Sequence, residues 1–204
     1  MEKYRKKCIG KLNSMKISKT KLEGVLIVEP KVWNDDRGYF FESYRKDILE
    51  ETVGHPLDFV QNNESKSTYG VLRGLHYQLP PFSQTKLVRV IEGSVLDVAV
   101  DIRKDSKTFG QYIAVELSEE NKKQLLIPRG FAHGFLVTSP TALFSYQVDN
   151  YYSPEHDRGV LYNDAEIGID WDIDIEKVLL SDKDIKQPKL KDAEIFMNST
   201  NLYA

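Results

Sequence analysis

The sequence lacks the features that mark secreted, membrane-spanning and nucleic-acid-binding proteins. Its 204 residues include one cysteine, Cys8, so no disulfide can form within the chain, and a reducing, cytoplasmic setting is expected. The longest apolar runs cover only a few residues, far short of the ~20 that a membrane-spanning helix needs. A formal net charge of -3 argues against a dedicated nucleic-acid-binding protein. What remains is an ordinary globular balance, with 41% hydrophobic and 29% charged residues.

The first twenty residues differ in composition from the rest of the chain. They are rich in lysine and arginine, and they lack the apolar centre of a secretory signal. We predict that residues 1–20 form a poorly ordered basic arm, with a tether to an anionic surface as the alternative. Met15 is a possible alternative start. Residues 21–204 then form a single domain, which suits the chain length.

Short β-strands dominate the predicted secondary structure. Apolar segments bounded by turn residues occur at 24–29, 86–91, 95–101, 112–117, 124–127, 134–138 and 142–148. The second and third flank Gly93, which predicts a hairpin. A short helix is predicted over residues 45–52, ending at Gly54, and one or two more after Trp171. Many short strands without intervening helices favour a sandwich or barrel over a parallel sheet.

Histidine is scarce, and two of the four histidines lie within predicted β segments. His55 and His156 occur in turn-like contexts, so we expect them in solvated loops. His76 lies in VLRGLHYQ at residues 71–78, and His133 lies in PRGFAHGF at residues 128–135. These stretches resemble the two signature stretches of the cupin superfamily. The resemblance implies a mainly β cupin-type jelly roll or β-barrel with a few short helices.

The metal-binding pattern of the cupins is incomplete in this sequence. Where the first stretch normally reads His-x-His, Gln78 replaces the second histidine, and Val137 replaces an asparagine of the second stretch. A catalytic transition-metal site usually needs three strong protein ligands. We therefore expect no metal and no cofactor. A metal-dependent cupin such as a dioxygenase is the alternative that these replacements disfavour.

Polar and cationic residues accompany His76 in the sequence. Arg73 lies three positions earlier, so on a regular strand the two side chains would face opposite sides unless the backbone turns at Gly74. Arginine and lysine together with amide side chains, here Lys86 and the segment 61–63, are the groups expected around a diphosphate. The alternative is that these are ordinary surface charges.

Several further blocks resemble the dTDP-4-dehydrorhamnose 3,5-epimerase family, in the family's order, from about residue 21 to about residue 190. They are residues 36–43, 71–78, 86–89, 97–103, 127–135, 150–154 and 180–184. The resemblance implies an isomerase that inverts C3 and C5 of a nucleotide-linked 4-keto-6-deoxy-hexose on the way to rhamnose. The alternatives are a single-centre epimerase or one acting on a GDP-linked sugar. A non-catalytic sugar-binding barrel is disfavoured because the acid–base residues are present.

The resemblance also implies catalytic roles for individual residues. His76 matches the family's general base, and Asp184 matches the carboxylate that pairs with it, with nearby Asp182 as the possible misassignment. Lys86 matches the cation that stabilises the enolate oxygen. Tyr146 matches the acid on the opposite face of the sugar ring.

The remaining matched positions concern substrate binding and assembly. The implied contacts to the nucleotide, diphosphate and sugar are Arg37, Phe40, Glu42, Gln61, Asn63, Arg73, His133 and Tyr152. Arg73 and His133 match residues near the diphosphate, and Tyr152 is placed to stack on the base. Family members resemble homodimers with exchanged N-terminal strands, so a homodimer is expected, in which Arg37 and Glu42 reach the neighbouring subunit's site.

Overall fold

Two antiparallel sheets that face each other dominate the computed structural model, which describes residues 15–199 and 202–203. The first sheet has the order β1 (Met15–Lys19), β2 (Leu26–Pro30), β10 (Gln124–Ile127), β7 (Lys86–Glu92), β12 (Thr141–Val148), β5 (Gln61–Thr68). The second has the order β13 (Asp157–Gly159), β6 (Leu72–Gln78), β11 (Phe131–Val137), β8 (Ser94–Asp101), β9 (Tyr112–Ser118). A separate hairpin joins β3 (Trp33–Asp35) to β4 (Gly38–Phe40). The predicted mainly β class is confirmed.

Alternation of side chains along the strands produces three apolar layers. Between the sheets, Ala142 and Phe144 of β12 pack with Phe135 and Val137 of β11. The outer face of the second sheet is covered by the chain that follows residue 160. The outer face of the first sheet is covered by the helix α1 (Lys46–Val53), which buries Leu49. The inner faces of both sheets and much of their outer faces are thus removed from water, whereas the outer face of the edge strand β5 stays exposed.

The helices agree with the sequence prediction in place and length. The helix α1 ends at Gly54, whose left-handed backbone lets its N–H bond the carbonyl of Glu50. After Trp171 follow a short 3-10 turn at Ile175–Lys177, the helix α2 (Asp182–Ile185), and a second 3-10 turn at Leu190–Asp192. Within residues 15–199 and 202–203, no helix is long and apolar enough to cross a bilayer.

Two of the predictions differ from the structure. The hairpin around Gly93 is wrong, because β7 belongs to the first sheet and β8 to the second, so the chain crosses between the sheets there. The basic arm does not extend to residue 20, because β1 pairs with β2 along its whole length. Residues 1–14 lie outside the described residues.

Strand β5 was missed by the sequence analysis. Its eight residues, QNNESKST, carry no apolar side chain, and an apolar alternation was the signal sought. The strand pairs with β12 from Gln61 to Thr68 and forms the edge of the first sheet. Its inward face carries amide groups because it lines a polar cavity instead of the core.

Gly93 makes the crossing between the sheets possible, and its replacement is a test of this fold. Its φ is +78°, and an added Cβ would lie 2.0 Å from the carbonyl oxygen of Thr141. We predict that Gly93→Ala lowers the free energy of unfolding by about 3 kcal/mol or more. Gly54→Ala is the matched control, because its φ of +81° is similar and nothing lies within 4 Å of its added Cβ. That control should cost about 1 kcal/mol, and equal urea midpoints for the two variants would contradict the prediction.

Candidate active site

Two adjoining cavities of about 310 and 320 Å³ open between the sheets. They share four lining residues, His76, Lys86, Tyr146 and Lys183. All four residues predicted to be catalytic therefore meet here, since Asp184 lines the second cavity. They are brought together from strands of both sheets and from α2, which no local sequence pattern indicates.

An irregularity between β6 and β11 turns both Arg73 and His76 into the cavity. His76 is opposite His133, but Arg73 is opposite Phe135, so β6 takes three residues where β11 takes two. Such a bulge reverses the alternation of side chains. It lies at Gly74, where an added Cβ would lie 2.5 Å from the Cα of Gly134. Because of this bulge, the side chains of Arg73 and His76 lie on the same face of β6.

Asp184 is the carboxylate that pairs with His76. The ring Nε2 lies 2.5 Å from Asp184 Oδ1, and the Asp184 side chain is buried, whereas Asp182 is exposed. A parallel bridge between Val71 and Leu179 places the start of α2 beside β6. Ser181 then caps the helix by accepting from the N–H of Asp184, while its hydroxyl donates to Oδ2 at 2.7 Å.

The hydrogen bonds to Asp184 hold it as a carboxylate. Burial alone would raise its pKa, but hydrogen bonds from His76, Ser181 and the backbone of Gly74 outweigh burial and lower the pKa. An ionised Asp184 accepts the proton on Nε2 of His76. The other ring nitrogen, Nδ1, is then left to take up a proton, which is the tautomer that a general base requires.

Lys86 and Tyr146 reach the cavity from the opposite sheet. Lys86 begins β7, and its ammonium donates to the backbone carbonyl of His76 at 3.3 Å. Tyr146 lies on β12 opposite Asn63 of β5, and it follows Phe144 on the inward face of the strand. His76 therefore lies on one wall of the cavity and Tyr146 on the other.

Burial shifts the pKa values of these two residues in opposite directions. Desolvation lowers the pKa of Lys86 to about 8, although the nearby carboxylates of Asp157 and Asp97 favour its charged form. Desolvation raises the pKa of Tyr146, with Arg73 acting in the other direction. Near neutral pH, Lys86 therefore carries a positive charge and Tyr146 keeps its proton.

A second histidine–carboxylate pair lies deeper between the sheets. His133 Nε2 lies 2.9 Å from Asp97 Oδ2, and both residues are buried. Burial lowers the pKa of His133, so its ring is neutral. Asp97 Oδ1 is buried with no hydrogen-bond partner among the described residues. Asp97 lies in a block quoted for the resemblance, yet the sequence analysis gave it no role.

Gln78 braces loops instead of serving as a ligand. Its amide nitrogen donates to the carbonyls of Phe82 and Tyr151, and its amide oxygen accepts from the N–H of Ser153 at 2.7 Å. All of these partners are backbone atoms. Within the part of the chain that the structure describes, no group of three or more histidine, cysteine or acidic side chains is arranged to hold a metal ion.

Five of the predicted substrate-binding residues line the cavities. Gln61, Asn63 and Tyr152 line the first cavity, and Arg73 and His133 line the second. Gln61 donates to Asn63 Oδ1 at 2.8 Å and accepts from the backbone N–H of Tyr152 at 3.2 Å. These contacts join the edge strand β5 to the loop 149–156.

Lys183 and Asp157 are charged residues at the cavities that the sequence analysis missed. Lys183 lines both cavities and forms an ion pair with Asp157, which lines the first. The hydroxyl of Tyr152 also donates to Asp157, at 3.1 Å. The sequence signal that could have found Lys183 is its position beside Asp184 in the block LSDKD, residues 180–184.

Arg37, Phe40 and Glu42 are not brought to either cavity within one chain. Arg37 and Phe40 lie on the β3–β4 hairpin, where Phe40 is 66% exposed. Arg37 pairs with Asp35 of the same hairpin, and Glu42 pairs with Arg45. The exposure of such a large aromatic side chain on a projecting hairpin is typical of a surface that binds a partner.

His55 and His156 line neither cavity, although both are half-buried and not fully solvated as predicted. His156 accepts from or donates to the hydroxyl of Ser153, with Nδ1 and Oγ 2.8 Å apart. The His55 ring lies 4.1 Å from that of Tyr203. Their contacts are with loops and the chain terminus.

The sequence and the fold are similar to those of named enzymes. The sequence model described as dTDP-4-dehydrorhamnose 3,5-epimerase matches residues 19–192. The enzyme of that name from Shigella flexneri is 55% identical over 183 residues, which are 90% of this chain and all of that protein. The crystal structure of the enzyme of that name from Elizabethkingia anophelis has a TM-score of 0.85 at 51% identity, with 88% of this chain and 98% of that chain covered.

A liganded structure is also similar. The dTDP-6-deoxy-D-glucose-3,5-epimerase from Legionella pneumophila, solved in complex with dTDP-4-keto-L-rhamnose, has a TM-score of 0.83 at 48% identity. The match covers 87% of this chain and 93% of that chain. By sequence and by fold, the chain belongs to the dTDP-4-dehydrorhamnose 3,5-epimerase family of isomerases.

Proposed function

We propose that the cavity converts dTDP-4-dehydro-6-deoxy-D-glucose to dTDP-4-dehydro-L-rhamnose by inverting C3 and C5, with His76 as base and Tyr146 as acid. The observation that carries this assignment is the placement of these two residues on opposite walls, one on each sheet. Inversion of a carbon centre requires that a proton leave one face of the sugar ring and return to the other. A single wall could exchange the proton but could not invert the centre.

The ketone at C4 makes the chemistry accessible to a histidine. It acidifies the protons on C3 and C5, because the electron pair left by either proton moves onto the C4 oxygen as an enolate. Nδ1 of His76 takes the proton, and Asp184, 2.5 Å from Nε2, stabilises the imidazolium that forms. Tyr146 then gives its phenolic proton to the carbon from the other face. Solvent restores the proton to the phenolate and takes the proton from the His76 imidazolium, so both groups are ready for the second centre.

Lys86 is proposed to stabilise the enolate oxygen. Its ammonium lies beside the backbone of His76 and is shielded from water, where a charge acts on its neighbours more strongly than in solution. No metal ion is needed in this scheme, because Lys86 supplies the positive charge that a Lewis acid would otherwise supply.

The nucleotide and diphosphate are proposed to extend along the polar edge of the cavities. Arg73 is the stronger candidate for the diphosphate, because the buried ring of His133 is neutral. Gln61 and Asn63 supply amide groups, and Tyr152 presents a ring that is 57% exposed and suited to stacking on a base. A thymine nucleotide is proposed from the family.

A homodimer with exchanged N-terminal strands is proposed to complete the site. Its support is that Arg37, Phe40 and Glu42 match substrate-binding positions yet lie apart from the cavities of their own chain. The β3–β4 hairpin would carry them into the partner's cavity. The enzyme is proposed to act in the cytoplasm, with residues 1–14 dispensable for turnover.

The acid–base assignment predicts that His76 and Tyr146 variants lose different activities when assayed in deuterated water. His76→Ala should abolish deuterium entry at C3 and C5, because it removes the ring nitrogen that is proposed to take up the proton. Tyr146→Phe should retain exchange through His76 but lose inversion. NMR of the dTDP-4-keto sugar measures both the exchange and the inversion. The control is His156→Ala, because His156 lies outside the cavities. Exchange in a folded His76→Ala protein would refute the assignment, and exchange at one carbon in the wild type would indicate a single-centre epimerase.

The lowered pKa of Lys86 predicts that kcat falls on the alkaline side of its pH profile. Lys86 is charged below a pH of about 8 and neutral above it, so kcat should fall as the pH rises through about 8. The raised pKa of Tyr146 keeps its own titration above that range. Lys86→Met should lower kcat about 100-fold and remove this limb, whereas Lys66→Met on the exposed face of β5 should change neither. A limb that persists in Lys86→Met would assign it to another group.

The exchanged dimer predicts complementation between two inactive variants. Arg37→Ala should impair the partner's site and His76→Ala its own. Coexpression should then form mixed dimers with one intact site, which gives about a quarter of wild-type activity at random pairing. Separately purified variants mixed without subunit exchange provide the baseline. No recovery in demonstrated mixed dimers would show that Arg37 does not act across a subunit boundary.

A further inference from the structure

The last described residues, Leu202 and Tyr203, dock onto the fold beyond the part that matches the family. We call these two residues the C-terminal latch. Leu202 is 9% exposed and packs in the outer core of the second sheet. The Tyr203 hydroxyl accepts from the backbone N–H of Arg129 at 3.2 Å and lies 3.1 Å from Thr85 Oγ1. The match to the family's sequence model ends at residue 192, before the latch begins.

Thr85 directly precedes Lys86, and its surroundings hold it in place from several sides. Its backbone N–H donates to Asp149 Oδ1 at 2.6 Å, and its side chain is 1% exposed against the latch. Arg129 joins the two groups of contacts, because it donates to Asp149 Oδ2 at 3.1 Å and to the carbonyl of Leu202 at 2.8 Å. The first residue of β7 therefore follows an anchor made by the latch, Arg129 and Asp149.

We propose that Tyr203 is a positioning residue for the epimerase reaction, which acts through Thr85 to fix Lys86 against the enolate oxygen. The inference rests on the proposed role of Lys86. Stabilisation of a developing charge depends on the placement of the charged group to within a fraction of an ångström. Tyr203 lines neither catalytic cavity, so its effect falls on the chemical step and not on substrate binding.

The test removes one hydroxyl group and leaves the ring in place. Tyr203→Phe keeps the ring against His55 and Arg129 but loses the hydroxyl's contacts with Thr85 and with the backbone N–H of Arg129. We expect kcat to fall about threefold to tenfold with KM changed less than about twofold. The alkaline limb of Lys86 should move to higher pH, because a less confined ammonium is better solvated. Tyr69→Phe, an exposed tyrosine at the turn between β5 and β6, is the matched control.

A second variant separates positioning from a general loss of stability. Thr85→Val removes the other half of the contact at nearly constant volume, and it should reproduce the loss in kcat. Because both variants remove the same Thr85–Tyr203 contact, the double variant should lose no more than the larger of the two single losses. Wild-type kcat in Tyr203→Phe, a loss confined to KM, or multiplicative losses in the double variant would each overturn the proposal.

The experiments distinguish a wrong proposal for Tyr203 from a wrong proposal for the function. If Lys86→Met leaves kcat unchanged, the role of Lys86 itself is refuted, and the positioning role of Tyr203 falls with it. If Lys86→Met slows turnover while Tyr203→Phe does not, only the latch proposal is wrong. Deuterium entry at C3 and C5 in the wild type tests the epimerase reaction independently of both.

Discussion

The close contact between β6 and β11 at Gly74 and Gly134 is the constraint on which the active site depends. The two backbones approach so closely that a single Cβ at Gly74 would lie 2.5 Å from Gly134 Cα. This approach accommodates the extra residue of β6 as a bulge, and the bulge turns Arg73 and His76 to the same face. On a regular strand one of the two would lie in the outer core, where neither a guanidinium nor a catalytic imidazole can be hydrated.

The remaining parts of the site follow from where the bulge places His76. The segment that contains Leu179 bridges to Val71 at the start of the same strand, which brings Asp184 to within 2.5 Å of the ring. Across the cavity, the opposite sheet presents Lys86 and Tyr146. His76 and Tyr146 thus lie opposite each other because the inner faces of the two sheets of a sandwich face each other.

Most polar groups in the interior are tolerated because they are paired or line a cavity, and Asp97 Oδ1 is an exception. Asp184 and Asp97 each accept a hydrogen bond from a histidine, and Gln78 satisfies its amide with loop backbone. Gln78 stands where a metal-binding cupin has its second histidine. The position is polar and buried, and its hydrogen bonds fix the loops that border the cavity.

The sequence by itself determined the mainly β class, most strand positions and the end of α1 at Gly54. Through its family resemblance it also identified most of the residues that meet at the cavities, but not Lys183 and Asp157. Those features depend on local periodicity, turn chemistry and motifs. The sequence did not reveal β5, because its amide-rich inward face lacks an apolar pattern, and it misassigned Gly93 to a hairpin, because turns and sheet crossings use the same residues. The tertiary structure alone decided the bulge at Gly74, the approach of Asp184 to His76 and the opposition of His76 and Tyr146. Each of these depends on strand register and sheet packing between residues far apart in the chain, for which no local signal exists.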